Sequence, residues 1–197
     1  MKTIGIALGL LAANLSLLAQ SVENIEEPLR PLFKIELGGA GLGLAYELPL
    51  ADRWSIDVST GLGGGHHIKD DFSGRTFQYT WVINDPVIYL KSEVKYHYNR
   101  PKRLRKGRSL RNNASNYVAF QTKYTTERVF SSTVYDQLRE PLNNTLLNEI
   151  HWGLQRPLGQ RFLFNFHLGL GYAFDYDFNN GSVYPGLGLK FSYIIFR

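Results

Sequence analysis

From Arg53 to Gly63 the chain alternates residue by residue. Trp54, Ile56, Val58, Thr60 and Leu62 fall on one side, and Arg53, Ser55, Asp57, Ser59, Gly61 and Gly63 on the other. Residues 161–175 repeat the pattern with heavier side chains, setting Phe162, Phe164, Phe166, Leu168, Leu170, Tyr172 and Phe174 against Arg161, Asn165, His167, Gly169, Gly171 and Asp175. A period of two marks a β-strand with two unlike faces. Further strands are read over 86–98, 115–129, 144–156 and 183–196, and over 41–48, where Leu42, Leu44, Tyr46 and Leu48 oppose Gly41, Gly43, Ala45 and Glu47. Ahead of the last of these, Phe33, Ile35 and Leu37 sit at odd positions, so the parity flips at Gly38-Gly39-Ala40-Gly41. The flip is either a bulge or a glycine turn. The turn supplies an eighth strand near Phe33–Leu37, and even counts are the rule for bacterial membrane barrels.

The two faces differ in kind. One carries aromatic and aliphatic side chains in unbroken succession, and the other carries glycine, serine and charges of both signs. A soluble barrel turns its apolar face inward. Here that face is too bulky for a narrow lumen, whereas glycines and ion pairs fit one, and apolar-out, polar-in alternation is the outer-membrane pattern. The expected fold is therefore all-β, an eight-stranded antiparallel up-and-down transmembrane β-barrel. A soluble periplasmic lipocalin-like lipid carrier is the rival architecture.

An internal repeat orients it. Pro49-Leu50-Ala51-Asp52-Arg53-Trp54-Ser55-Ile56-Asp57 matches Pro157-Leu158-Gly159-Gln160-Arg161-Phe162-Leu163-Phe164-Asn165 at a constant offset of 108 positions. Each copy is a tight turn between two alternating strands, hence an antiparallel hairpin. Two strands lie between the copies, so both turns fall at the same end of the barrel. Short turns of outer-membrane barrels face the periplasm and long loops face outward, which sends the connections near 66–85, 130–144 and 175–182 outside.

The N-terminus has the layout of a secretory leader: Lys2, the apolar run Ile4–Leu18, then Ala19-Gln20-Ser21 and the acidic Glu23, Glu26 and Glu27. The run is shorter than the ~20 residues a spanning helix needs. Residues 1–20 are read as a signal peptide, 21–31 as a short periplasmic segment and 32–197 as the barrel, with the cell outer membrane as destination. The 197-residue chain has no cysteine, which removes disulfides, thiolate metal sites and cysteine nucleophiles. Nineteen glycines and 14% aromatic residues agree with β structure.

These glycine-rich alternating strands, the Tyr46-Glu47 strand end and the leader ending Leu17-Leu18-Ala19-Gln20 resemble the small outer-membrane β-barrel proteins of the kind abundant in Bacteroidota. The closing Phe191-Ser192-Tyr193-Ile194-Ile195-Phe196-Arg197 resembles the terminal-strand signal read by the barrel-assembly machinery. It departs from that pattern in ending on Arg197 and in placing Phe196 out of step with Phe191, Tyr193 and Ile195. The resemblance implies a fold and a location, and no particular activity.

Eight strands enclose a space that side chains can fill. Arg53, Lys91, Lys95, Lys123, Arg161 and Lys190 are read as facing Glu47, Asp57, Glu93, Glu149 and Glu127 inside it. Near-balance of charge in a dry space requires paired, hydrogen-bonded groups, so a plugged, salt-bridged lumen is expected rather than a channel. Glu149, His151, Asn165 and His167 share one hairpin and form a weak candidate for an acid–base relay. His66, His67, Asp70 and Asp71 at the outer rim form a weak candidate for a divalent cation. The formal net charge of +5 traces to Arg100, Lys102, Arg103, Arg105, Lys106, Arg108 and Arg111, a run without an acid. It lacks interleaved aromatics for nucleic acid and is read as meeting anionic lipid headgroups. The expected protein is a non-catalytic monomer without cofactors, whose partners are outer-membrane lipids and the barrel-assembly machinery. The alternative is an outer-membrane enzyme acting on lipid A or phospholipid.

Overall fold

A computed structural model describes residues 28–39, 41–70, 77–129, 144–177 and 179–197, with the side chains of 65–70, 77–86 and 128 excepted. The proposed leader lies outside them, as do Asp71 and most of the 130–144 connection. Eight strands follow in chain order: β1 (Leu32–Gly38), β2 (Gly41–Ala51), β3 (Trp54–Asp70), β4 (Phe77–Tyr96), β5 (Ser115–Arg128), β6 (Thr145–Leu158), β7 (Phe162–Asp175) and β8 (Asn180–Phe196). Each pairs antiparallel with its neighbours, and β8 returns to β1 to close the barrel. The parity flip is a turn, for Gly38 pairs with Gly41 and β1 is the eighth strand.

The two faces divide as their chemistry requires. Leu37, Leu170 and Leu187 on the outside are 60, 67 and 70% exposed, while Lys34, Glu47, Asp57 and Lys95 on the inside are fully buried. Within the closed wall no strand edge is left to satisfy. Both Pro-Leu hairpins pair alike as far as the proline, Pro49 opposite Ser55 and Pro157 opposite Leu163, and part company in the turn, where Ala51 faces Trp54 but Leu158 faces Phe162.

At the closing seam the register slips by one residue: Lys34 faces Ile194 while Phe33 faces Phe196. Ile195 is thus the extra residue of a bulge. Phe196, out of step in sequence, is returned to the outer surface and stacks on Phe33 with ring centroids 4.8 Å apart.

Several expectations need correction. β3 and β4 pair on through Asp70 and Phe77, so much of 66–85 is a two-stranded ribbon beyond the last pairings with β2 and β5. The β7–β8 connection is confined to 176–179. Arg53 and Arg161 lie in the tight turns, and Arg161 is exposed with its guanidinium 3.3 Å from the Tyr193 hydroxyl. Glu127 is exposed near the rim, accepting from Asn144 Nδ2 at 3.0 Å. Period-two reading carried these three charges inward because parity holds no information on where a strand ends.

The tight-turn end is closed from within. Residues 97–114 form a short helix α1 (Arg100–Arg105) and a 3-10 turn over Arg111–Asn113. Asn112 and Asn113 have φ of 56° and 59°, a left-handed conformation that asparagine tolerates better than most residues. Asn113 Nδ2 donates to Glu47 Oε1 at 2.8 Å and to the Arg30 carbonyl at 2.9 Å, which ties the approach to β1 to the cap. Gln155 Nε2 donates to the Asn112 carbonyl at 2.8 Å. Of the basic run, Arg100 and Arg103 are buried in this cap, whereas Lys102, Arg105, Lys106, Arg108 and Arg111 are exposed. A wholly solvated basic turn is therefore not what forms.

His97 is the hinge of the cap. Its ring lies 2.8 Å from Ser55 Oγ and 2.5 Å from Ser115 Oγ, fully buried. Burial, helped by Lys95 and Arg100 and opposed by Glu47 and Glu93, lowers its pKa to about 3 from an ordinary 6.5. Between those values the unfolded chain holds the extra proton, so stability falls as pH falls. At pH 5 this amounts to about 2 kcal/mol. The stability difference between wild type and His97→Gln, read from urea midpoints, should shift by about that much between pH 7.5 and 5 in favour of the variant. A difference independent of pH would show that the imidazole is free to protonate.

Candidate functional site

The lumen holds two kinds of polar assembly. The first is a lysine–carboxylate network. Lys34 Nζ lies 2.6 Å from Asp57, 3.1 Å from Glu47 and 3.3 Å from Glu36. Lys95 lies 3.1 Å from Asp57, and Lys190 lies 3.0 Å from Glu36. Lys34 and Glu36 were implied by parity on β1, yet sequence reading had not singled them out. These pairs are structural, since every member already has partners of opposite charge.

The second assembly is the histidine cluster. Glu149 and His151 are two apart on β6 and so project from one face, and His167 projects from β7 opposite Gly153. His151 Nδ1 lies 2.7 Å from Glu149 Oε1, and His167 Nε2 lies 3.5 Å from the same oxygen. The two imidazoles stack with centroids 4.4 Å apart. Gly186 and Gly188 on β8 make room for them, because a Cβ at either would run into the Glu149 carboxylate or the His167 ring. Glu93 reaches across from β4 and sets its Oε1 3.2 Å from His151 Nε2.

Of the four residues proposed for a relay, Glu149, His151 and His167 are brought together. Asn165 is not: it is buried opposite Gln155, and its side chain makes no hydrogen bond. The residue missed was Glu93, which parity placed in the lumen but whose height relative to His151 depends on register across two ladders, Glu93 to Gln121 to Glu149. A cavity of about 230 Å³ adjoins the cluster, lined among others by Glu93, Glu149, His167, Lys123 and Tyr184.

Serine chemistry has one further place to stand, the contact of Ser55, His97 and Ser115. It is sealed beneath the cap, so it offers no approach to a substrate. Ser192 Oγ donates to Glu36 Oε1 at 3.3 Å and so belongs to the lysine–carboxylate network. His66, His67 and Asp70 lie on β3 with side chains outside the described set, and Asp71 lies outside it altogether.

No family model, curated protein or solved structure matches the chain.

Proposed function

We propose that the protein is an integral outer-membrane β-barrel without catalytic activity, which serves the envelope structurally or through its long-loop end. The observation that carries this is the polarity of the wall, leucine and aromatic side chains outward all round and paired charges inward. Water is a poor solvent for such an outside, and lipid is a good one. A soluble carrier needs the reverse arrangement, whereas the lumen cavity is lined by Glu36, Lys91, Glu93, Lys123 and Glu149 among others. A lipid-modifying enzyme needs its groups in reach of a lipid, whereas the histidine cluster faces the lumen.

On this reading the leader exports the chain, the tight-turn end faces the periplasm, and β8 is the strand offered to the barrel-assembly machinery. The exposed Lys102, Arg105, Lys106, Arg108 and Arg111 then meet anionic headgroups of the inner leaflet. The lumen is plugged, and the barrel acts as a monomer, its closed wall offering a second copy no strand edge to extend.

The test is a labelling scan in lipid vesicles. An environment-sensitive dye on Phe164→Cys or Phe166→Cys should be quenched by lipids brominated along their chains, and a dye on Asn165→Cys should not. Recovery of the protein in the soluble fraction, or equal quenching at both parities, removes the reading.

A further inference from the structure

We propose that Glu149, His151 and His167 form a site inside the lumen for a divalent transition-metal ion of the zinc class. The inference rests on lumen geometry and does not require the membrane reading. One ligand atom from each of the three residues falls within a sphere of contact, all mutually within 4.8 Å. Metal–nitrogen and metal–oxygen bonds of about 2.0–2.2 Å place tetrahedral ligands about 3.3–3.5 Å apart. The 3.5 Å from His167 Nε2 to Glu149 Oε1 matches that spacing and the 2.7 Å from His151 Nδ1 is shorter, so side-chain shifts of about 1 Å complete the site.

Two further observations bear on a cation. Glu149 Oε1 and His151 Nδ1 are buried and 2.7 Å apart without the alignment of a good hydrogen bond, and a metal ion between them takes the place of a shared proton. Secondly, the Glu93 carboxylate lies 3.2 Å from Nε2, where it accepts that nitrogen's proton and leaves Nδ1 as the atom that ligates. A carboxylate behind a ligating histidine is the support that metal sites commonly have.

Among the described residues the ion pairs of Glu93 and Glu149 run to histidines, so a cation at this place displaces a shared proton rather than a lysine. Histidine and carboxylate ligands suit zinc and its first-row neighbours better than calcium or magnesium. Three protein ligands beside a cavity leave the fourth position for water.

The test uses the folded, tag-free, chelator-stripped protein in detergent, titrated with Zn²⁺ by calorimetry. One equivalent should bind. His151→Gln and His167→Gln should each weaken binding by about 100-fold or more, and Glu93→Gln by about 10-fold. A His66→Gln/His67→Gln double variant should bind as wild type does. Should a lumen variant fail to fold, the Cu²⁺ form of the wild type serves: its electron paramagnetic resonance should show coupling to two imidazole nitrogens. Absence of saturable binding, binding that survives loss of both lumen histidines, binding abolished by the rim double variant, or a copper spectrum without two nitrogens would each overturn the site.

Discussion

Replacing Lys34 with methionine should destabilise the folded barrel by about 3–5 kcal/mol, read as a lower urea midpoint for unfolding from lipid vesicles at pH 7.5. Lys34 is the junction of the lumen, with Asp57, Glu47 and Glu36 all within 3.3 Å of one ammonium and all buried. Two of these share Lys95, and Glu36 also has Lys190. Methionine fills a similar volume but leaves the carboxylates short of one positive charge where water cannot replace it. The cost is the desolvation of charges that stay, not the worth of the pair itself. Removing Asp57 as well, in Lys34→Met/Asp57→Leu, should recover a large part of the loss, a coupling that marks direct interaction. Lys190→Met should cost less, because that side chain is 14% exposed and serves Glu36, which keeps Lys34 3.3 Å away. Equal losses at the two lysines would mean that the lumen is wet and the network weak.

How much of this was legible in sequence follows from what alternation can encode. Parity identifies the face of a residue, so the outward row Phe162 to Phe174 and the inward Lys91, Lys95, Glu47 and Asp57 were readable before any coordinates. It even yielded β1, because a flip at consecutive glycines has few physical meanings. Parity carries nothing about ends: Arg53, Arg161 and Glu127 continue the pattern past the rim, where both faces are wet. It also fails where one residue is inserted, and Phe196 looked misplaced because the bulge at Ile195 leaves no mark of its own in sequence. The cap was illegible for another reason. Its run of arginines and lysines has the composition of a solvated turn, and the burial of Arg100 and Arg103 depends on Asn112 and Asn113 finding Gln155, Glu47 and Arg30 far away in the chain. The histidine cluster was half readable. Glu149, His151 and His167 belong to one hairpin whose turn fixes their register, while Glu93 comes from another hairpin.

The proposal that the apolar wall faces lipid makes Leu187→Arg the most discriminating substitution. Leu187 sits mid-strand on β8 opposite Leu168, and it is 70% exposed, so little packing is lost on substitution. In water such a change costs within about 0.5 kcal/mol and improves solubility. At the middle of a bilayer an arginine on the outside of a barrel costs about 2–4 kcal/mol. The wild type and Leu187→Arg should therefore differ by that amount in vesicle unfolding, while Phe162→Arg beside the tight turn should cost about 0–1 kcal/mol because its guanidinium reaches the interface. The gradient matters more than either number, since a depth-dependent penalty has no counterpart in a protein surrounded by water. A flat response along β7 and β8 would mean that the leucine rows face something other than hydrocarbon, and the charged lumen would then need an explanation independent of the membrane.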